Sequence, residues 1–587
     1  MVEKTYHDSR EQQKRIRFVL GFLVIFAFVI VGRLFWLQVI KHNYYLKVAS
    51  VQHWARDIIP AKRGKIYVKD KMSPNGLYSL ADNQTLYLVS VSPEEMYELT
   101  KDDEKVDKKG ETADKLSPFV GMEPPKLKEI FDKNHTYIPL KHYLSFDEAE
   151  KVRKLDLAGV YVEEEQKRYY PEGTMASQLL GYVNTEGEGN YGLEQVFNET
   201  LSGVPGISKA EVDSGKKKIA FGEKILTPAK NGGDVTLTIN RDVQTEAEKV
   251  VKEAVEKFKA ENGSLIVMDP DNGEIIAMAN FPTYDPNNYK DVKDYGLFRN
   301  SSVSDVFEPG SIFKVITMAA GIDTKKVEPD TKYDDTGVVV LNGYKIMNST
   351  KKAWGLVDMT FVIQESLNTG TVYVMNQIGK DVFYDYLMKF KFGQKTKIEQ
   401  PTEGEGTVYK PSQTNDHGYA TMTFGQGITV TPVQMITSFA AIVNGGKLVQ
   451  PHIVSEYTDL NGKKTVTDNR TLGQVISAEA SAKLRAMMVN QVVKGHGKQS
   501  AVKGYKVGGK TGTAQVPDKK NGGYDPSKNI GTFIGFGPAD SPRFVVLAKI
   551  DSPKGLAWAE SSAGPMSGKM LDFLFKYYQI PPTEPVN

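Results

Sequence analysis

The 587-residue sequence contains no cysteine and only eight histidines. The lack of cysteine excludes disulfides, thiolate nucleophiles and zinc sites built on cysteine. With so few histidines and no HExxH pairing, the sequence predicts no metal site. An excess of charge of one sign is also missing, since 74 basic residues face 72 acidic ones. This near-balance argues against nucleic-acid binding, which requires a clustered basic excess.

One long hydrophobic run interrupts an otherwise soluble composition. Residues 18–40 are long enough to cross a bilayer as a helix, and Arg33 is their only charge. The basic residues before the run indicate a cytoplasmic N-terminus (residues 1–17); they are Lys4, Arg10, Lys14, Arg15 and Arg17. A cleaved signal peptide would be shorter and would end in small residues, not in the RLFW of residues 33–36. We therefore predict a retained single-pass signal anchor, with a buried core helix as the alternative.

Residues 41–232, which follow the anchor, have short strand-like runs with polar interruptions. The runs at 85–91 and 159–163 predict strands, whereas the charge density of 100–115 predicts a solvated loop. Residues 212–233 are rich in lysine and glycine, which is typical of a connector. We predict one extracytoplasmic domain over 41–232.

The second half of the chain, residues 233–587, has clearer periodicity. Its signals are a strand at 234–239, a helix at 242–258, hairpins at 264–279 and 531–550, and a closing helix at 562–578. Strands at both ends with a long helical middle predict one antiparallel sheet covered by helices, and hence an α+β fold.

Ser311 and Lys314 are the first candidates for chemistry in this half. Pro309 and Gly310 turn the chain and place Ser311 in the first turn of a helix, with Lys314 on the same face. The neighbours of Lys314 are apolar nearly all round, so burial lowers the pKa of its amine. A neutral amine beside a hydroxyl is a base for a serine nucleophile. The alternative is a chance SxxK pattern whose lysine extends to the surface.

Ser366 and Asn368 form a second short element, SLN. A spacing of two residues does not place both side chains on one helix face, so the pair can act together only on a loop or at a helix junction. There the hydroxyl can relay a proton while the amide orients the substrate and the lysine. The alternative is a capping or turn pair.

The third element is residues 507–515 (VGGKTGTAQ), and we call its residues 510–513 (KTGT) the KTG element. In an extended strand Thr511 and Thr513 share one face, and Gly512 leaves room for a substrate backbone. Lys510 and the two hydroxyls form a receptor for a carboxylate. Backbone N–H groups of Ser311 and Thr513 together can form an oxyanion hole. The alternative is a glycine-rich loop with a surface lysine.

In this order, SxxK, SxN and KTG resemble the signature of penicillin-binding proteins and serine β-lactamases. Further short segments are similar to class B penicillin-binding proteins: RGKI at 63–66, ADN at 81–83, RYYP at 168–171, GLE at 192–194, FPTYDP at 281–286, FGQG at 424–427 and TP at 431–432. One departure follows RGKI, where residues 67–70 (YVKD) and a longer polar loop replace the family's usual Asp-Arg-Asn-Gly turn.

The resemblance implies a transmembrane helix, an elongated and mostly β pedestal of the dimerisation type (41–232), and a transpeptidase domain (233–587). It also implies a set of active-site residues. The catalytic residues would be Ser311, Lys314, Ser366, Asn368 and Lys510, and the substrate-binding residues Thr511, Gly512 and Thr513.

The implied activity is D,D-transpeptidation of bacterial peptidoglycan at the extracytoplasmic face of the cell membrane. Ser311 would attack stem peptides ending in D-Ala-D-Ala, and β-lactams would acylate the same hydroxyl. The chain supplies nucleophile, base and oxyanion donors, so no cofactor is expected. A polytopic membrane glycan polymerase and other cell-wall synthesis proteins are the implied partners.

Three other activities remain as alternatives within the same superfamily. A D,D-carboxypeptidase or β-lactamase would use the same motifs with water as the acceptor, although a β-lactamase needs no domain before its catalytic half. A β-lactam sensor normally needs a cytoplasmic signalling domain. A bifunctional enzyme would need a glycosyltransferase, and 41–232 offers no convincing cluster of catalytic glutamates.

Overall fold

The computed structural model describes residues 2–42, 44, 54–100, 104–133, 137–211, 224–518, 522–556 and 561–585. The predicted connector at 212–233 therefore lies partly outside the described residues. The chain forms two compact units, Met1–Ala61 with Val204–Lys230, and Lys62–Gly203 with Asn231–Asn587.

The helices of the described residues are, in chain order, α1 Val2–Phe35, α2 Lys109–Val120, α3 Pro124–Phe131, α4 Phe146–Arg153, α5 Ser177–Leu180, α6 Gly192–Val196, α7 Asn198–Ser202, α8 Arg241–Phe258, α9 Ser301–Ser304, α10 Lys314–Asp323, α11 Met359–Gln364, α12 Asn368–Ile378, α13 Lys380–Lys389, α14 Asp416–Met422, α15 Pro432–Val443, α16 Ala478–Val493 and α17 Ala563–Tyr577.

The strands are β1 Trp54–Ile59, β2 Ile66–Lys69, β3 Leu77–Val91, β4 Tyr97–Leu99, β5 Lys105–Asp107, β6 Ile138–Leu144, β7 Val160–Tyr169, β8 Tyr182–Val183, β9 Gly189–Asn190, β10 Gly206–Glu211, β11 Lys224–Thr227, β12 Val235–Asn240, β13 Asn262–Met268, β14 Ile275–Phe281, β15 Lys332–Asp335, β16 Val338–Leu341, β17 Tyr344–Met347, β18 Gly355–Asp358, β19 Lys447–Val449, β20 Val454–Thr458, β21 Lys464–Val466, β22 Thr471–Gln474, β23 Gly508–Pro517, β24 Tyr524–Gly537 and β25 Phe544–Asp551.

The first unit contains the apolar helix predicted from the sequence. Helix α1 continues into a π-helical turn at Trp36–Ile40, and Gln12–Ile40 is long and apolar enough to cross a membrane. Nearly all of its apolar side chains are exposed, with Trp36 and Leu37 half-buried, as expected of a segment that faces lipid. The same unit holds a three-stranded antiparallel sheet in the order β1-β10-β11.

In the second unit a seven-stranded mixed sheet has the order β21-β20-β12-β2-β3-β6, with β7 also paired to β3. Strands β2 and β12 run parallel, and their other neighbours are antiparallel. The sheet thus includes strands from both sides of residue 232, so the predicted domain boundary falls between strands of one sheet.

One local prediction in this part is wrong. The segment 100–115 was expected to be a solvated loop because of its charge, but α2 begins at Lys109. Thr112, Ala113, Leu116 and Val120 are buried at helical spacing, so the charged residues occupy only the outer face. The charge density hid an amphipathic helix.

The antiparallel sheet predicted for the second half has five strands in the order β14-β13-β25-β24-β23. Alternate residues of β13 face opposite sides, with Leu265 and Val267 packed in the cluster that includes α8 and α17. Ile266 and Met268 face the larger cluster that holds α10, α12 and α15. Helices therefore cover both faces, the predicted α+β fold is confirmed, and β23 forms an edge of the sheet.

Candidate active site

Ser311 lies in a tight turn at the start of a buried helix. The sequence predicted the first turn of an α-helix, whereas Gly310–Phe313 forms a 3-10 turn and α10 begins at Lys314. Gly310 has φ +56°, and a Cβ there would lie 2.8 Å from the carbonyl oxygen of Thr513. Glycine thus allows the turn that carries Ser311 to lie directly against β23.

Lys314 is fully buried. Its Nζ donates hydrogen bonds to the main-chain oxygen of Ser366 and, over 3.1 Å, to the Ser366 hydroxyl. Burial and, secondarily, the charge of Lys510 lower the pKa of the Lys314 amine well below its usual value. The Lys314 amine therefore loses its proton at a lower pH than an exposed lysine does.

Ser366 sits at the junction between α11 and α12, as its spacing from Asn368 required. It has φ +58°, which turns the chain sharply between the two helices. The hydroxyl accepts hydrogen bonds from Lys314 Nζ and from Lys510 Nζ, the second over 3.0 Å. Ser366 thereby connects the SxxK turn with the KTG element.

Asn368 begins α12, but its side chain does not have the expected partner. The amide nitrogen donates to the main-chain oxygen of Met347 over 2.8 Å. Among the hydrogen bonds of the described residues, none joins Asn368 to Lys314. The contact instead ties the SxN element to strand β17.

The KTG element is extended and forms part of β23. Lys510 is fully buried, and its Nζ also donates to the main-chain oxygen of Thr511 over 2.9 Å. The sequence predicts that Gly512 leaves room for a substrate backbone. On the side where a Cβ would stand, that room is filled, because the atom would collide with Thr532 Oγ1 and would lie 2.9 Å from Ile312 Cγ2. Gly512 lets β23 pack against the Ser311 turn.

These elements surround one cleft of about 530 Å³. Its lining residues are Gly310, Ser311, Ser349, Thr350, Ser366, Asn368, Phe424, Gln426, His496, Thr511, Thr513 and Gln515. Five of the predicted site residues line it, and the buried Lys314 and Lys510 contact Ser366 from behind the surface. Among the described residues there is no group of three or more acidic, histidine or cysteine side chains that could hold a metal ion.

Several lining residues were not predicted. Gln515 stands two positions after Thr513, so the alternation of the strand could have placed it on the same face. Phe424 and Gln426 belong to the FGQG segment, whose family resemblance alone implies no role in the cleft. Ser349 and His496 lie in segments whose approach to the cleft depends on tertiary packing and carries no local signal.

Comparisons with known proteins agree with this geometry. Residues 263–572 match the penicillin binding protein transpeptidase domain, and residues 58–237 match the penicillin-binding protein dimerisation domain. Stage V sporulation protein D of Bacillus subtilis is 34% identical over 567 residues, covering 95% of this chain and 85% of the relative. The probable peptidoglycan D,D-transpeptidase PenA of Neisseria meningitidis serogroup A is 28% identical, covering 97% and 94%.

Solved structures have the same architecture. Penicillin binding protein 3 of Mycobacterium tuberculosis, complexed with ampicillin, superposes with a TM-score of 0.67 at 25% identity, covering 90% of this chain and 99% of that one. The matched transpeptidase family alone spans more than half of the sequence and includes all three motifs of the cleft. The chain belongs to the class B penicillin-binding proteins.

Proposed function

We propose that this chain is a serine-type peptidoglycan D,D-transpeptidase that forms an acyl-enzyme on Ser311. The observation that carries the proposal is the pair of hydrogen bonds joining Lys314 and Lys510 to the hydroxyl of Ser366, beside a cleft lined by Ser311. The relative from Neisseria named as a peptidoglycan D,D-transpeptidase supports the substrate class.

In the first half-reaction Lys314 accepts the proton of Ser311. The Oγ then bonds to the carbonyl carbon between the two terminal D-alanines of a stem peptide. Main-chain N–H groups of Ser311 and Thr513 stabilise the oxyanion of the tetrahedral intermediate. The lowered pKa of Lys314 suits this step because only the neutral amine can take the proton.

Collapse of the intermediate breaks the C–N bond and leaves an ester on Ser311. The departing D-alanine needs a proton on its nitrogen, and Ser366 passes one from Lys314. Lys510, Thr511 and Thr513 hold the terminal carboxylate of the substrate, so the bond to be broken lies over Ser311. Asn368 borders the same cleft and contacts the peptide there.

In the second half-reaction the amine of a neighbouring stem peptide attacks the ester carbon. A new amide forms, the Ser311 hydroxyl is regenerated, and the proton of the amine returns through Lys314. β-Lactams carry a strained amide and a carboxylate in a similar arrangement, so they acylate Ser311. The structure of the Mycobacterium relative with ampicillin supports this part of the proposal.

The apolar helix at the N-terminus serves as a single-pass anchor in the bacterial cell membrane, with the catalytic residues outside. The basic residues before residue 18 favour this orientation. A polytopic glycan polymerase in the same membrane would supply the strands to be cross-linked. Protease added outside spheroplasts should then digest most of the chain. If most of the chain is protected instead, the orientation is the opposite one.

The deciding experiment uses fluorescent penicillin and the full-length chain in detergent. Covalent labelling is expected for the native sequence and should vanish in Ser311→Ala, with the melting temperature unchanged. Incubation with a stem pentapeptide and an amine acceptor should yield the cross-linked product. Labelling that survives in Ser311→Ala would refute the serine mechanism, and release of D-alanine without a cross-linked product would favour a carboxypeptidase.

A further inference from the structure

A buried carboxylate stands three residues before the candidate nucleophile. Glu308 is 8% exposed and lies at the start of the segment that leads into the Ser311 turn. Its Oε1 accepts the main-chain N–H of Gly427 over 3.0 Å, and its Oε2 accepts the hydroxyl of Tyr524 over 3.0 Å. The mechanism proposed above gives this carboxylate no role.

The two partners of Glu308 belong to different segments of the cleft wall. Gly427 ends the FGQG segment, which is also bound to the Ser311 turn through the hydrogen bond from Gly310 N–H to the Gly425 oxygen, 3.0 Å. Tyr524 begins β24 and is paired with Pro517, at the far end of β23. One carboxylate therefore holds together the nucleophile turn, the FGQG segment and the end of the β23–β24 hairpin.

The segments joined in this way place the side-chain amides of Gln426 and Gln515 opposite each other at the cleft. Gln426 Nε2 donates to Gln515 Oε1 over 3.4 Å, and both residues line the cleft. Gln426 precedes Gly427, and Gln515 is two residues from Pro517, the strand partner of Tyr524. Each amide therefore lies within two residues of a point that Glu308 holds in place. For Gln426 this point is Gly427, and for Gln515 it is the strand pair formed by Pro517 and Tyr524.

The direction of β23 indicates what these amides contact. Under the proposed function, on which this inference rests, Lys510 and the hydroxyls of Thr511 and Thr513 hold the terminal carboxylate of the donor, and the carbonyl under attack lies at the main-chain N–H of Thr513. The acyl side of the donor peptide then continues along the strand toward Gln515. Gln426 and Gln515 border the space that receives it.

We propose that Glu308 is a positioning residue that sets the acyl-side subsite of the cleft by binding Tyr524 and Gly427. The carboxylate does not touch the reacting atoms. It fixes the spacing between Gln426 and Gln515, and through that spacing it determines how well a donor with a large acyl group is received.

Two probes separate this role from a general structural one. A penicillin with a large fluorescent acyl side chain reaches past Thr513, whereas 6-aminopenicillanic acid has the same bicyclic core and carboxylate without that chain. Second-order acylation rates of the full-length protein in detergent are measured with both, by fluorescence and by mass spectrometry. Glu308→Gln and Tyr524→Phe should each slow the large probe about tenfold, as expected for loss of a hydrogen bond to a charged group. The small probe should change less than twofold.

The double variant tests whether the two residues act as one unit. If they do, Glu308→Gln with Tyr524→Phe should be no slower with the large probe than the slower single variant, because the second change removes nothing further. If Glu308→Gln fails to fold, Tyr524→Phe alone decides the matter, since Tyr524 is 38% exposed and loses only a hydroxyl.

Tyr386→Phe is the matched control. The Tyr386 hydroxyl donates to Asp323 Oδ2 over 2.6 Å, and Asp323 also accepts the main-chain N–H of Ser477, yet none of the three lines the cleft. This variant should leave the ratio of the two rates unchanged.

Equal slowing of both probes, unchanged rates in Tyr524→Phe, or multiplied losses in the double variant would overturn the inference. If the native chain is acylated by neither probe, the proposed function itself fails. Normal acylation of the native chain with unaffected variants refutes only the role of Glu308.

Discussion

Lys314 and Lys510 share one acceptor, the hydroxyl of Ser366, at 3.1 Å and 3.0 Å. Lys314 lies in a helix, 52 residues before Ser366 at its helix junction. Lys510 lies in a strand, 144 residues after Ser366. Two charged amines this close to one hydroxyl repel each other, so the arrangement favours a neutral Lys314 beside a charged Lys510.

Removal of the shared hydroxyl should therefore disable proton transfer. We expect Ser366→Ala to slow acylation by fluorescent penicillin by roughly 10²–10⁴, the usual contribution of a positioned proton-transfer group. Ser366 has φ +58°, so Ser366→Gly is the control that removes the hydroxyl without backbone strain. A normal rate in Ser366→Gly would exclude the relay.

The buried lysine should be visible in the pH dependence of acylation. Because the pKa of Lys314 is lowered, its neutral form accumulates at a pH well below the usual lysine value. The acylation rate should rise with pH on the acid side and level off far below pH 10.5, and Lys314→Ala should lose the rise with most of the rate. A native rate that keeps climbing to about pH 10, the range of an exposed lysine, would contradict the assignment.

Thr513 should contribute through the carboxylate of the substrate. We expect Thr513→Val to slow acylation by β-lactams and by peptide substrates about ten- to a hundredfold, the effect of one charge-assisted hydrogen bond. The control is the same substrate with its carboxylate converted to an uncharged amide, which should already react slowly and lose little more. Equal losses with both substrates would place the effect in the main chain or the oxyanion hole.

Glu194 should be essential for stability and not for chemistry. It is fully buried and accepts Arg63 Nη2 over 2.7 Å and Arg168 Nε over 2.6 Å. Glu194→Ala leaves two buried arginines without their counter-charge, and we expect a loss of about 3–5 kcal/mol in the free energy of unfolding. Glu274→Ala is the control: it removes a partly exposed pair with Lys69, and it should cost less than about 1 kcal/mol. Similar losses in both variants would contradict the stabilising role of the buried network formed by Glu194, Arg63 and Arg168.

The same network gives a stability prediction for acid. Burial alone raises the pKa of Glu194, but the two arginines outweigh burial, and the pKa is lowered overall. A lowered folded-state pKa means that the stabilisation is present above the ordinary glutamate value of about 4.3 and is lost as the pH falls through the lowered value. The melting temperature of Glu194→Gln should therefore fall less steeply with acid than that of the native chain. Parallel curves would show that other carboxylates govern acid unfolding.

Much of the catalytic half could be predicted because its signals are local. The hairpin at 264–279 appears as β13 and β14, and the helix at 242–258 as α8, which begins one residue earlier at Arg241. Apolar alternation and turn residues act over a few positions, so they are readable from one sequence. The helix α2 was missed because its charged outer face concealed four buried positions.

The site was predictable in its motifs but not in its contacts. Spacing required Ser366 to lie on a loop or helix junction, and it does, whereas nothing local indicated that the amide of Asn368 is bound to Met347. Glu308 likewise stands beside a recognisable motif, yet its partners lie 119 and 216 residues away. Contacts at such separations depend on how helices and strands pack, and no periodicity records them.

The close packing around Ser311 also has an evolutionary consequence. A side chain at Gly310 would press on Thr513, one at Gly425 would collide with the main chain of Gly310, and one at Gly512 would collide with Thr532. A side chain at any of the three positions would shift the turn that carries Ser311, so we expect antibiotic selection to leave all three glycines unchanged. Substitutions that discriminate between drug and natural substrate are therefore expected at lining positions outside this packed turn, such as Gln426 and Gln515.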